Sequence, residues 1–239
     1  MTWPVFITTG SPAPDDLRGI VAAAVVLYWL RHREAGPVVV LDAGAPEVTW
    51  STLRGLGYLA GRDFHVVHLP IDDSQRQRHV VAHQLAVTFK ADYYAATDDD
   101  IVPRPEFSLA TAFALMDLDP SFALVCALLR SCDVPHVVAG TVPGQESQPI
   151  AECGAAGGLR LWRSDVALSR PPPDPSAPRS YDRPLCQAVR DVGRKVGYFT
   201  TASPRSLRVA HFPGAAYSTV WPDLAVPHVF PRDGHAENG

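Results

Sequence analysis

The feature that most constrains the fold is the alternation of short apolar runs with longer helical stretches. Runs rich in apolar and β-branched residues lie at 4–9, 37–44, 63–71 and 92–98, and a stretch of helical character separates each from the next. The run PVVVLDAG, at 37–44, is apolar at almost every position, which is typical of a parallel strand buried on both faces. This alternation predicts an α/β Rossmann-like fold with a mainly parallel central sheet flanked by helices.

Turn and cap residues divide the chain into further elements. Helices are expected at about 15–33, 49–61, 73–91 and 105–117. Apolar runs follow at 122–129 and 136–142, then a Gly-rich loop at 152–166, a proline-rich loop at 170–180, and a helix leading into a strand at 181–199. We interpret 1–215 as a single domain and 216–239 as a Pro-rich tail.

Charge gives little indication of a nucleic-acid partner. The net charge is −4 over 239 residues and the pI is about 6.1, so the chain as a whole is not basic. The stretch 160–208 is locally basic, with ten Lys and Arg against four Asp. This stretch either faces an anionic ligand or forms an ordinary solvated helix face.

Cysteine spacing and hydropathy exclude a zinc ribbon and a membrane span. The four cysteines form no Cys-x-x-Cys pair. The longest apolar run, at 20–30, is shorter than the about 20 residues that a membrane-spanning helix needs. Residues 1–10 carry no basic segment of the kind that begins a secretory signal. We therefore expect a soluble, cytoplasmic protein with reduced thiols.

Three consecutive carboxylates, Asp98–Asp100, directly follow the fourth predicted strand in ADYYAATDDDIVP, at 91–103. In parallel sheets ligands bind at the carboxyl ends of strands, and Asp42 also ends a predicted strand, so these acids are expected to line one crevice. Mg²⁺ and Mn²⁺ bind carboxylates and complete their shells with water and phosphate. Asp98 and Asp100 are therefore candidates for a metal–diphosphate, and Asp99 for orienting a sugar hydroxyl. A solvated turn or a helix N-cap is the alternative explanation of the triplet.

This segment resembles the Asp-X-Asp segment of GT-A fold glycosyltransferases, especially the family-2-like ones. VFITTGSPAPDDLRGIVAAAVVLYW is similar to their first strand and helix, VVVLDAG to their second strand, and RQRHVVAHQLAVTFKADYY to the helix before the Asp-X-Asp strand. The resemblance implies that Thr8, Thr9 and Asp42 hold the donor nucleoside. In that helix His83 stands where family members often carry Asn.

The resemblance continues to about residue 215. GAAGGLRLWRSDVALSR is similar to the acceptor-side segment of the family, which makes Gly157, Gly158 and Trp162 acceptor-side candidates. For Trp162 the alternative is packing in the core.

A closing pattern of Glu-Asp, helix, Gly, strand and His is also similar. It corresponds to YDRPLCQAVRDVGRKVGYFTTASPRSLRVAHFPG, in which Tyr181 replaces the Glu. The resemblance implies that Asp182 is the general base and that His211 joins Asp98 and Asp100 as a metal ligand. An N-cap of the following helix is the alternative for Asp182.

The resemblance implies a metal-dependent, inverting glycosyltransferase of the hexosyltransferase type. It would move a sugar from a UDP- or GDP-sugar to an acceptor hydroxyl with Mn²⁺ or Mg²⁺. One alternative is a non-catalytic nucleotide- or sugar-binding protein of the same fold, and another is a glycosyltransferase acting on a modified nucleic-acid base. A nucleotidyltransferase of similar fold needs a basic, Gly-rich loop after the first strand, but residues 8–16, TTGSPAPDD, contain no basic residue.

Overall fold

The computed structural model describes residues 1–9, 17–42, 55, 63–69, 74–131, 144–145, 147–154, 157–166 and 182–211. In these ranges the helices are α1 Leu17–Arg31, α2 Ser74–Thr88, α3 Leu109–Asp117 and α4 Asp182–Asp191. The strands are β1 Trp3–Thr9, β2 Ala35–Asp42, β3 Phe64–His68, β4 Tyr93–Asp98, β5 Ile101–Pro103, β6 Phe122–Cys126, β7 Leu128–Ser131, β8 Ile150–Glu152, β9 Arg160–Arg163, β10 Lys195–Phe199 and β11 Arg208–His211. The helix predicted at 49–61, apart from Gly55, the run at 136–142, the loop at 170–180 and the tail lie outside the described residues.

A mixed eight-stranded sheet forms the centre of the molecule, in the order β3-β2-β1-β4-β9-β6-β10-β8. Its strands β1 to β4 pair in parallel, and so do β6 and β10. The parallel, buried strands β1 and β2 are the ones that the apolar runs predicted, and α1 follows β1 as the alternation required. The mainly parallel central sheet predicted from the sequence is confirmed.

Strand β9 is the main departure from the predicted order of elements. It runs antiparallel between β4 and β6. Arg160 of β9 is opposite Ala96 of β4 on one side and Cys126 of β6 on the other. The sequence prediction of a loop through 152–166 is therefore wrong for Arg160–Arg163. The run at 122–129 also divides, because β6 stays in the large sheet while β7 joins a second one.

Helices cover both faces of the large sheet. On one face α1 and α3 contribute buried side chains such as Val25, Trp29 and Met116. On the other face α2 and α4 contribute Ala82 and Leu185. Because both faces of the sheet are buried, the sequences of the central strands are continuously apolar and do not alternate between apolar and polar residues.

A three-stranded sheet, in the order β5-β11-β7, lies beside the end of β4. Its strand β5 begins at Ile101, immediately after the acidic triplet, and pairs antiparallel with β11. In that register His211 is opposite Ile101. The small sheet thus brings the backbone of the late His next to the triplet, although 110 residues separate Ile101 from His211.

Candidate active site

Four of the predicted site residues meet at the carboxyl edge of the large sheet. The parallel register of β1, β2 and β4 pairs Thr8 with Asp98 and Thr9 with Asp42. Thr9, Asp42 and Asp98 are the last residues of their strands and Thr8 is the last but one, so all four lie at the edge where ligands bind in sheets of this kind. Asp42 on β2 and Asp98 on β4 thus lie on either side of β1.

Asp98 is bound by three side chains of the protein itself. Thr8 Oγ1 donates to Asp98 Oδ1 at 2.9 Å, and the Nη1 atoms of Arg78 and Arg160 lie 3.3 and 3.5 Å from the same oxygen. Burial alone would raise the pKa of Asp98, but the charges of Arg160 and Arg78 and the bond from Thr8 outweigh it and hold that pKa below its ordinary value. Asp98 is therefore a carboxylate at neutral pH. All three contacts are made to its Oδ1, and among the described residues its Oδ2 accepts no hydrogen bond.

The other two acids of the triplet differ in exposure. Asp99 is 1% exposed and accepts a hydrogen bond from Thr9 Oγ1 at 2.8 Å. Asp99 is therefore held against the end of β1, and its contact with a donor sugar stays a prediction. Asp100 is half-buried and directly precedes β5, beside the backbone of His211.

Asp182 and Arg160 form the second half of the site. Asp182 is the first residue of α4, and its Oδ1 accepts a hydrogen bond from Arg160 Nη2 at 2.6 Å. The Arg160 side chain is 2% exposed, whereas that of Asp182 is 40% exposed. Because Arg160 also contacts Asp98, one buried guanidinium joins the predicted base to the acidic triplet.

The acceptor-side candidates are not equivalent. A Cβ added to Gly157 would lie 3.0 Å from Asp182 Oδ2, so Gly157 is adjacent to the exposed carboxylate. Gly158 has φ +71°, which favours glycine, and its carbonyl oxygen lies 3.4 Å from Arg160 Nη1. Trp162, in contrast, is fully buried and stacks on Tyr94 with the ring centroids 6.0 Å apart. Trp162 is a core residue, the alternative considered above, and its ring cannot face an acceptor.

Three histidines, on β3 and α2, lie near this region. His79 is buried beside Trp162, and its pKa lies well below the ordinary value because of burial and the nearby charges of Arg160 and Arg78. His83, at the family's Asn position, has its pKa lowered by burial, which Asp165 partly opposes. At the end of β2 the fully buried Asp42 lies 3.2 Å from Nδ1 of the exposed His68.

Two site residues, Arg78 and Arg160, were not predicted from the sequence. Arg78 lies on α2 and donates to Thr8 Oγ1 at 3.0 Å as well as contacting Asp98. The chain has 21 Lys and Arg, and most such residues are exposed, so residue type alone does not distinguish these two. For Arg160 the sequence gives a weak signal, because it is a charged residue between the apolar residues Leu159 and Leu161 in a segment that forms a strand.

Solved structures of transferases share this arrangement of strands and helices. S. aureus TarS, in its shorter crystallised form, superimposes with a TM-score of 0.56 at 12% identity over 88% of this chain and 60% of that one. The inositol-1-phosphate CTP transferase from T. maritima gives a TM-score of 0.54 at 12% identity, over 95% and 99% of the two chains. An active-site variant of LgtC gives a TM-score of 0.52 at 14% identity, over 94% and 98%. The chain has the GT-A nucleotide-diphospho-sugar transferase fold.

These similarities concern the fold. The chain spans 36% of the longer TarS structure and about 60% of the shorter one. No protein-family model and no curated protein sequence matches the chain. Among the described residues, none of the helices is both long and apolar enough to cross a membrane.

Proposed function

We propose that this chain is a glycosyltransferase that moves a sugar from a nucleotide-diphosphate sugar to an acceptor hydroxyl. One observation carries the proposal: Asp98 and Asp182 are held on a single buried guanidinium, that of Arg160, at the carboxyl edge of a GT-A sheet. These are the two carboxylates that the sequence resemblance assigns to the donor diphosphate and to the acceptor proton.

The donor nucleoside would bind along the ends of β1 and β2. Thr8, Thr9 and Asp42 occupy these ends. Asp42 is buried beside His68, so a base would have to displace that contact to reach its carboxylate. A TarS structure of the same fold, with a TM-score of 0.54, is a complex with UDP, which supports a uridine nucleotide. We take UDP- and GDP-sugars as the first donors to test.

A divalent cation, Mg²⁺ or Mn²⁺, would be held by Asp100 and by Oδ2 of Asp98, with His211 as a further ligand. Among the described residues no group of three or more His, Cys, Asp or Glu forms a ready-made cage. Two carboxylates are nevertheless enough for such a cation when diphosphate and water complete its shell. When bound, the cation would neutralise part of the negative charge on the diphosphate.

The acceptor proton would go to Asp182. As the acceptor oxygen attacks the anomeric carbon, its O–H proton passes to the Asp182 carboxylate. The bond between the anomeric carbon and the diphosphate oxygen breaks, and its electron pair leaves with the nucleoside diphosphate. Attack from the side opposite to the leaving group inverts the anomeric centre.

Two rivals share the fold. The T. maritima CTP transferase illustrates that nucleotidyl transfer occurs on it, but the stretch after β1 in this chain, at 8–16, lacks the basic residue which that chemistry needs. A non-catalytic binding protein would keep nucleotide affinity and show no turnover. Tyr181 in place of the family's Glu motivates this second rival.

Hydrolysis of nucleotide sugars tests the proposal, because water can replace the acceptor. We expect release of UDP or GDP in the presence of Mn²⁺, and a decrease of kcat by about 10²–10⁴-fold in Asp182→Asn with nucleotide affinity retained. Asp165→Asn is the matched control, since Asp165 pairs with Arg194 and is 60% exposed. Binding without hydrolysis would favour the non-catalytic rival, and equal turnover in Asp182→Asn would remove Asp182 from the mechanism.

A further inference from the structure

Among the described residues, one oxygen of Asp182 has a hydrogen-bond partner and the other has none. Oδ1 accepts the 2.6 Å hydrogen bond from Arg160 Nη2, and no hydrogen bond is made to Oδ2. The side chain is 40% exposed, so part of the carboxyl group is accessible from outside. A carboxylate held in this way has one oxygen that fixes its orientation and one that remains available for a proton.

Arg160 is well suited to fix that orientation. It lies in the interior of the large sheet, where β9 pairs with β4 on one side and with β6 on the other. Its Nη1 lies 3.5 Å from Asp98 Oδ1 and 3.4 Å from the carbonyl oxygen of Gly158. A planar guanidinium with partners on both terminal nitrogens cannot rotate freely. A lysine ammonium at the same place could rotate, because its three donors are equivalent.

Gly157 leaves an opening beside the other oxygen. A Cβ on this residue would lie 3.0 Å from Asp182 Oδ2 and 3.7 Å from its Cγ. Any side chain larger than hydrogen would therefore crowd the oxygen that Arg160 does not hold. The absence of a side chain at Gly157 leaves space for a small polar group next to Oδ2.

From this geometry we infer that Arg160 is a positioning residue for Asp182, and that the acceptor hydroxyl approaches Oδ2 through the opening at Gly157. The inference rests on the proposed function and specifies it further. The acceptor O–H gives its proton to Oδ2, Oδ1 keeps its bond to Arg160, and Arg160 stays protonated throughout. The same guanidinium contacts Asp98, so the donor side and the acceptor side of the site share one cation.

Two substitutions test this inference by different routes. Arg160→Lys keeps the positive charge but removes the two terminal nitrogens that contact Asp182 and Asp98. Gly157→Ala leaves Arg160 unchanged and places a methyl group beside Asp182 Oδ2. In both we expect kcat for nucleotide-sugar hydrolysis to fall by at least about 10-fold, and by up to about 10²-fold, because misplacing a reacting group by about 1 Å costs that much. The KM for the donor should stay within about threefold in Gly157→Ala, which adjoins Asp182 and no donor-side residue. Arg160→Lys also changes a contact of Asp98, so its KM is not used as a criterion.

Matched controls are available on the same chain. Arg163→Lys changes an arginine of the same strand that pairs with Asp117 instead. Gly55→Ala adds a methyl group with no atom within 4 Å. Both controls should keep the wild-type kcat, and the urea unfolding midpoint of every variant shows whether it is folded.

The outcomes separate the inference from the proposed function. A reduced kcat in both test variants, with an unchanged KM in Gly157→Ala, supports the inference, and if Arg160→Lys does not fold, Gly157→Ala alone decides. Wild-type kcat in a folded Arg160→Lys or in Gly157→Ala, while Asp182→Asn is inactive, would overturn the inference and leave the function standing. A wild type that neither binds nor hydrolyses any nucleotide sugar would overturn both.

Discussion

At the scale of single residues, the site is a series of alternating charges that runs Arg78, Asp98, Arg160, Asp182. Asp98 could be predicted because acids at the end of a buried strand are conspicuous in the sequence, and Asp182 because its segment resembles that of the family. The arginines could not, because their role depends on burial and on pairing with Asp98, which lies 20 positions from Arg78 and 62 from Arg160. Those two cations explain how the chain tolerates Asp98 next to Asp99.

The lowered pKa of Asp98 gives a prediction about acid stability. A carboxyl whose pKa is lower in the folded state adds stability that is fully present above the ordinary value, about 3.9, and is lost as the pH falls through the lower folded value. Asp98→Asn should therefore lower the free energy of unfolding by about 1–3 kcal/mol at pH 7, because two guanidinium groups lose a charged partner. The difference from wild type should shrink below about pH 4.

Urea unfolding of the two proteins at pH 7 and at pH 3 measures this difference. Asp92→Asn, at the other end of the same stretch and with an exposed side chain, is the matched control and should change stability by less than about 0.5 kcal/mol at pH 7. A difference for Asp98→Asn that is equally large at both pH values would contradict the ion-pair account.

At the scale of elements, the sequence predicted the parallel strands and missed the reversed strands β8 and β9. Strands β1, β2 and β4 follow from apolar runs, because burial on both faces requires apolar residues throughout. Strand β3, at the edge of the sheet, was also predicted although none of its residues is buried. Strand β9 has four residues, RLWR, with a charge at each end, and a local pattern cannot show that it inserts between β4 and β6. The insertion matters for function, since it is what carries Arg160 to the site.

The close packing of β10 between β6 and β8 leads to a stability prediction. A Cβ on Gly197 would lie 2.7 Å from Phe122 Cε1, 2.8 Å from Ile150 Cγ2 and 2.9 Å from the carbonyl oxygen of Ala151. Gly197→Ala should therefore cost about 1–3 kcal/mol through overpacking, measured by urea unfolding. Gly55→Ala, which meets no atom within 4 Å, controls for the substitution itself. A loss below about 0.5 kcal/mol for Gly197→Ala would show that the neighbouring strands adjust freely.

At the scale of the whole molecule, part of the local basic excess at 160–208 is paired with acidic side chains of the protein. Arg163 pairs with Asp117, Arg194 with Asp165, and Lys195 with Asp119 and Glu152. These three cations therefore do not argue for the alternative of a nucleic-acid acceptor. The fold itself follows from the alternation of strands and helices. The choice of donor, acceptor and cation depends instead on a few side chains that the fold brings together.

Thermal unfolding with added nucleotides tests most directly the central claim that the carboxyl edge of this sheet binds a nucleotide-diphosphate sugar. Wild type and Asp100→Ala would be melted with UDP, GDP and dTDP, each with and without Mn²⁺. A ligand at 100 times its Kd adds about 2.7 kcal/mol of stability. The account predicts that one nucleotide raises the Tm of the wild type when Mn²⁺ is present and that Asp100→Ala loses this response. If no nucleotide shifts the Tm under either condition, this edge of the sheet does not bind a nucleotide and the glycosyltransferase proposal is contradicted.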